Sequence, residues 1–199
     1  MYRVSPIQLI SGESPFCETY FEDAIVPLEN VVGGVDNGWT AGKRLLQFER
    51  STHAGINTSG SQGGRVVENK VRQQVVDYVG MQNGRLGDEA LRGELLSFDM
   101  NTAAQTLTQK RAVEESQARA PGFTSSAVKL TNALNIKAGD ELVIRSMGSN
   151  ALRWDPETAD AGELRSAKSW LYQKSLTIAG GTQEVQMNII AKRVLGLPD

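Results

Sequence analysis

The sequence predicts a mainly α-helical chain, an antiparallel up-down helical bundle preceded by a short β segment. Three observations predict it. Residues 1–36 carry strand and turn signals, and Gly33-Gly34 through Asn37-Gly38 make a glycine-rich break. Beyond the break, apolar residues recur at steps of three and four. The break divides the chain into two regions, 1–36 and 37–199. Helices joined by short connections pack as antiparallel neighbours.

Ser11-Gly12-Glu13-Ser14-Pro15 reads as a turn, and Phe16 to Phe21 has the aromatic and β-branched content of a strand. Asp23-Ala24 marks a second turn, and Val26-Pro27 an extended dipeptide. After the break, Val67, Val71, Val75 and Val79 recur every four residues, with Trp39, Leu45 and Leu46 opening the same element. From Asp88, the seam Leu91, Leu95, Phe98, Thr102, Thr106, Gln109 and Val113 predicts a helix that turns polar in its second half. That polar half is expected to face a polar interface. Pro121-Gly122 breaks the pattern. Thr124 or Ser125 can cap the next helix, with Leu130, Leu134, Ala138 and Leu142 on one stripe. Met147 to Asn150 and Asp155-Pro156 are turns, and Leu164, Ala167 and Leu171 mark a short helix.

Composition narrows the function classes. Of 199 residues, 40% are hydrophobic and 22% charged, ordinary for a globular protein. A net charge of −2 gives no electrostatic reason to expect nucleic acid. No apolar run approaches the roughly 18 residues of a membrane span. One histidine and one cysteine, Cys17, leave no basis for a zinc site or a disulfide framework, and a cytoplasmic location is expected.

The chain closes on Ala179-Gly180-Gly181-Thr182-Gln183-Glu184-Val185-Gln186. Two glycines permit a tight turn and close approach of another group. Thr182 sits where an N-cap belongs, and Val185, Ile189 and Val194 give the next helix an apolar face. Gly196 and Pro198 end it. Such a turn presents free N–H groups to an anion or a polarised carbonyl.

Read together, these residues resemble the C-terminal signature of the acyl-CoA dehydrogenases, flavoenzymes that introduce a double bond α,β to a thioester. Leu9 to Phe16, then Phe21 to Gly33, is similar to the end of that family's β-domain. Gly38-Trp39 and Leu45-Leu46-Gln47-Phe48-Glu49-Arg50 resemble the opening of its first C-terminal helix. The matches run in order from residue 7 to 198. The resemblance places Met1 inside the β-domain, so the chain is expected to be a C-terminal half, a fragment or a truncated reading frame. It implies FAD as cofactor, an acyl-CoA substrate, an electron-transfer flavoprotein as oxidant, and a homo- or hetero-oligomer built as a dimer of dimers.

The reaction needs a base for the α-proton, donors for the developing enolate oxygen, and a hydride acceptor. Side chains cannot accept hydride, so a cofactor must. In one subgroup the carboxylate precedes the Gly-Thr of the signature; that position here is Gly180, which cannot act as a base. In a second subgroup, resembling isovaleryl-CoA dehydrogenase, it precedes an arginine on the first C-terminal helix. That position is Glu49, followed by Arg50. Glu49 is therefore expected to be catalytic. A carboxylate with a pKa near ~4.3 is too weak for the task, and desolvation by an acyl chain raises such a group. The plainer alternative is a surface glutamate paired with His53 one turn on or with a lysine; His53 itself reads as packing more readily than as chemistry.

The resemblance assigns Arg50, Gly180 and Gly181 to the substrate, with the Gly180 N–H directed at the thioester oxygen, and Thr182 and Glu184 to the flavin. Helix capping alone accounts for Thr182 and Glu184 as well. Two departures stand against a full flavin site. The family's Arg-x-x-Phe-Gly motif is not recognisable in Gln82-Asn83-Gly84-Arg85-Leu86-Gly87, and the second flavin segment, which carries a Gly-Gly pair in the family, reads only Arg145-Ser146-Met147-Gly148-Ser149. A non-catalytic partner subunit of a heteromeric dehydrogenase is the alternative, and a peroxide-forming flavin oxidase a lesser one.

Overall fold

The computed structural model describes residues 1–53, 63–118 and 124–198. Strands β1 (Tyr2–Ile7) and β2 (Phe16–Phe21) pair antiparallel, from Tyr2 opposite Phe21 to Ile7 opposite Phe16. The predicted turn joins them: Gly12 takes φ +80°, and the Leu9 N–H donates to the Glu13 carbonyl at 2.8 Å. Gly12 lies against the Trp154 ring, which ties the hairpin to the helices.

The helices are α1 (Gly38–His53), α2 (Gly63–Val79), α3 (Glu89–Gln117), α4 (Thr124–Met147), α5 (Ala161–Gln173) and α6 (Gln183–Ile189). The element predicted to run from Trp39 through Val79 is thus recorded as α1 and α2; residues 54–62 between them are outside those described, as is Pro121-Gly122. Trp39, Leu45 and Leu46 do not join the core; with Phe48 they are exposed along α1. Further on, Val71 and Val75 are buried as the four-residue spacing requires, while the Val67 side chain lies outside the described residues.

Gly80, at φ +77°, ends α2, its N–H donating to Val76 at 2.8 Å. A hairpin that the periodicity did not predict follows, β3 (Met81–Gln82) with β4 (Arg85–Leu86). Asn83 (φ 51°) and Gly84 (φ 73°) both take the left-handed conformation of a type I′ turn. Leu86 is thereby aimed into the core, and Arg85 outward. Asp88 then caps α3, accepting from the Leu91 N–H at 2.9 Å.

The larger apolar cluster among the described residues joins Val71 and Val75 of α2, Leu86, then Leu91, Leu95 and Phe98 of α3, and Leu142, Val143 and Met147 of α4; Ala112 and Val128 form a smaller one. Burying side chains of this size stabilises the fold by about 1.5–3 kcal/mol each. Two ion pairs, Arg72 with Asp99 and Arg145 with Glu94, cross-link antiparallel neighbours α2–α3 and α3–α4.

The polar interface expected for the second half of the α3 seam is formed with α4 of the same chain at Thr102 and Gln105. Thr102 and Gln105 are buried; Gln105 donates to the Val128 carbonyl at 3.2 Å, Thr131 donates to Gln105, and Asn135 donates to Thr102 at 2.7 Å. Thr102 and Gln105 are tolerated there because each finds a partner across the helix pair. The buried line shifts one residue from the predicted one, to Gln105 rather than Thr106.

The predicted α4 stripe is also corrected. Leu134 and Ala138 are exposed and Leu130 half-buried, whereas Ser126, Val128, Lys129, Ala133, Gly139, Leu142, Val143 and Met147 are buried. The cause is position: α4 packs against α1, α2, α3, α5 and α6. A helix enclosed on several sides has no single apolar stripe. α5 forms as predicted, with Asp160 as its N-cap accepting from Gly162 (2.7 Å) and Glu163 (3.2 Å).

Candidate functional site

Residues 174–182 join α5 to α6 through a 3-10 turn and the two glycines. Gly180 takes φ +68° and Gly181 φ +101°, conformations costly for any residue with a Cβ. A Cβ at Gly181 would also stand 2.6 Å from Gln186 Nε2. Thr182 is the N-cap, its hydroxyl accepting from the Val185 N–H at 3.3 Å.

The turn's own N–H groups divide into two kinds. Ala179 donates to Ser175 (2.9 Å) and Gly181 to Ile178 (3.2 Å), so both are spent internally. The N–H groups of Gly180 and Thr182 have no acceptor among the described residues. Of the two glycines, Gly180 therefore has the available donor, and Gly181 contributes backbone conformation.

Glu184 occupies the first turn of α6. Its own backbone N–H and the Thr182 hydroxyl hold its carboxyl below the usual carboxylate range. A capping box would need an acid at the third helical position, which here is Val185. The apolar face predicted for this helix is corrected: Val185 and Val194 are half exposed, and the buried side chain is Gln186. Gln186 turns inward because its Nε2 donates to the Gly180 carbonyl at 3.0 Å.

Two groups that sequence reasoning missed hold this turn. Besides Gln186, the buried Lys129 of α4 donates to the carbonyls of Gly181 (2.6 Å) and Leu176 (3.2 Å). Burial pushes the Lys129 ammonium pKa down. The only signal in the sequence was a lysine three residues after Ser126 and four before Ala133, on what proves a buried face.

Glu49 lies on α1, exposed, and the backbone of Arg50 follows it; the side chains of Arg50 and His53 lie outside the described residues. α1 and α6 both pack on α4, which carries Glu49 and the glycine turn on one central helix. Trp39, Leu45 and Phe48 are also exposed along α1, with the Arg44 guanidinium 5.0 Å from the Phe48 ring.

A separate cleft of about 760 Å³ opens between α2, α4 and α5, and neither Glu49 nor residues 180–184 line it. Its charged lining includes Lys70, Asp140, Arg165 and Lys168. Burial raises the Asp140 pKa to about 6 from 3.8, against the pull of Lys174 and Lys70. Between those values the folded chain binds more protons than the unfolded one, so this group's contribution to stability falls as pH rises. Asp140→Asn removes the dependence. The Tm advantage of the variant over the parent should widen from about pH 4 to pH 7 and then level; a constant difference would refute the burial effect.

Among the described residues no cluster of His, Cys, Asp and Glu could hold a metal ion, and no helix is long and apolar enough to cross a membrane.

Residues 36–195 match the family described as Acyl-CoA dehydrogenase, C-terminal domain. The chain is 28% identical over 98% of its length to acyl-CoA dehydrogenase FadE34 of Mycobacterium tuberculosis, covering 25% of that protein. It is 28% identical over 98% of its length to acyl-CoA dehydrogenase IpdE1 of the same organism, covering 48%. The chain thus spans half or less of the curated relatives it matches. Among solved structures, the Tcur3481-Tcur3483 steroid ACAD superposes with a TM-score of 0.77 at 22% identity, covering 99% of this chain and 49% of that one. The ChsE4-ChsE5 complex from Mycobacterium tuberculosis gives 0.74 at 23%, covering 100% and 50%.

Proposed function

The chain belongs to the acyl-CoA dehydrogenase family, and on that premise we propose that it supplies the C-terminal part of a flavin-dependent acyl-CoA α,β-dehydrogenation site. The two regions, 1–36 and 37–199, are then the end of a β-domain and the C-terminal helical domain. The observation that carries the reading is the glycine turn, with an unpaired Gly180 N–H beside a buried cation. Glu49 takes the α-proton. The Gly180 N–H donates to the thioester oxygen as the enolate develops, an effect commonly worth about 3 kcal/mol in barrier. Arg50 and Gly181 contact the substrate, and Thr182 and Glu184 the flavin side. FAD, when bound, supplies the hydride acceptor, and an electron-transfer flavoprotein in the cytoplasm would restore it.

The residues fit the flavin unevenly. The turn has free donors. Elsewhere, the Asn83-Gly84 hairpin occupies the place of the Arg-x-x-Phe-Gly motif, and Arg145 is already paired with Glu94. Exposure of Glu49 and of the apolar α1 face fits a site that another chain segment must cover. The ChsE4-ChsE5 complex and the Tcur3481-Tcur3483 steroid ACAD each join two named proteins, which favours a hetero-oligomer here.

The second reading, a non-catalytic partner subunit, rests on those altered flavin positions. Titrating FAD into the purified chain, alone and with the subunits that copurify with it, separates the two. Retained, yellow flavin whose absorbance bleaches on adding acyl-CoA supports dehydrogenation. If a folded assembly retains no flavin, the partner reading replaces it; steady peroxide formation would instead indicate an oxidase.

A further inference from the structure

The turn that offers the Gly180 N–H is held by Gln186 of α6 and, from α4, by Lys129. Lys129 is 5% exposed, and among the described residues no carboxylate offsets the burial of its ammonium. Its ammonium bridges two carbonyls on either side of the turn, Leu176 at 3.2 Å and Gly181 at 2.6 Å. An unpaired buried ammonium is costly, and two neutral carbonyls repay only part of that cost. A neutral donor would satisfy the same carbonyls more cheaply. The charge therefore calls for a use.

The geometry gives it one. In a trans peptide the C=O and N–H point in opposite directions. Drawing the Gly181 carbonyl toward Lys129 turns the Thr182 N–H away from it. Gln186 does the same to the neighbouring peptide: its bond to the Gly180 carbonyl directs the Gly181 N–H the other way, onto Ile178. With Leu176 anchored to the same ammonium, residues 177–180 are clamped between two fixed points. What remains unpaired are the N–H groups of Gly180 and Thr182.

We propose that Lys129 is a positioning residue for this turn, fixing its peptide planes so that the Gly180 and Thr182 N–H groups stay free, and placing a buried positive charge behind them. Negative charge developing on a thioester oxygen in front of the turn is stabilised by both effects, since a fixed charge in a water-poor site acts with little screening. The inference deepens the dehydrogenation reading and rests on it for the identity of the charged oxygen; the clamping of the turn does not.

The test uses the full chain in its assembled form, with Lys129→Met, Lys129→Gln and Lys129→Arg. Amide hydrogen exchange is read first. Exchange at Ala179 and Gly181 should rise about tenfold in Lys129→Met, while α3 and α4 core amides keep their rates. Unchanged exchange at those two amides overturns the clamp. Turnover of an acyl-CoA that the parent oxidises is read second. Lys129→Gln keeps a donor but no charge, and its kcat should fall about 10- to 100-fold with KM within about threefold. Lys129→Arg should recover most of that loss. A kcat for Lys129→Gln equal to the parent's overturns the electrostatic part, and failure of all three variants to fold makes Lys129 structural and ends the proposal. If the parent shows no turnover, the dehydrogenation reading fails separately, and the exchange data still decide the clamp.

Discussion

In the assembled protein, Glu49→Gln is expected to lower kcat with acyl-CoA by about 10²–10⁴-fold while leaving flavin content unchanged. The amide is nearly isosteric with the carboxylate, so α1 and its packing on α4 should survive. What is lost is the capacity to accept a proton. By the usual conversion this corresponds to about 3–5 kcal/mol of barrier. Glu49 is exposed in the chain as it stands. Its use as a base therefore depends on an acyl chain and a covering segment excluding water, and a variant confined to this residue isolates that step. Anaerobic mixing with acyl-CoA gives the cleanest readout, because flavin bleaching reports proton and hydride removal without the oxidant. KM should change little, since a neutral amide still fills the site. Bleaching at the parent rate would remove Glu49 from the mechanism. It would then leave Gly180, at the other position the family uses, with no carboxylate to replace it.

Much of this arrangement was legible because local chemistry and tertiary environment agree. Val71 and Val75 are buried where a four-residue spacing places them, and the Phe16–Phe21 strand lies where its composition puts it. The Asn83-Gly84 hairpin was equally available in principle, since adjacent left-handed residues are the strongest short hairpin signal. It went unread because the flanking strands have two residues each, too few to show alternation.

The failures on α4 have another origin. Leu134 is exposed and Lys129 buried, the reverse of what their hydrophobicity predicts. Burial there is decided by which helices surround α4, information no single stretch contains. The same holds for Thr102 and Gln105, polar residues whose partners lie on a different helix. At the candidate site, the glycine turn and its cap were visible as a pattern of residue types. The side chains that hold it, Lys129 and Gln186, come from separate helices and carry no local signature.

The largest stability effect is expected where Gly139 of α4 meets Phe98 of α3. Gly139 packs against Phe98, and a Cβ built on it would meet Phe98 Cε2 at 2.9 Å, Cζ at 3.1 Å and Val71 Cγ2 at 3.2 Å. The ring is 3% exposed, so it has little room to withdraw. Phe98→Ala should destabilise the chain by about 3–5 kcal/mol, through lost burial and the cavity left behind. Gly139→Ala sets two effects against each other. Alanine gains up to about 1 kcal/mol of helix propensity, and overpacking costs about 1–3 kcal/mol. The contacts are below ordinary van der Waals distance on two sides, so overpacking wins and the single variant should lose stability. In a Phe98→Ala background the nearer obstacle is gone, only Val71 Cγ2 at 3.2 Å remains close, and the added methyl enters the cavity. Gly139→Ala should then become stabilising, and a double-mutant cycle by denaturant unfolding should give a coupling within the 0.5–3 kcal/mol typical of contacting residues. Additive effects would mean that the ring does not rest on Gly139. A coupling of the expected sign would establish that contact in solution and, with it, the seating of α4, the helix from which Lys129 reaches the glycine turn.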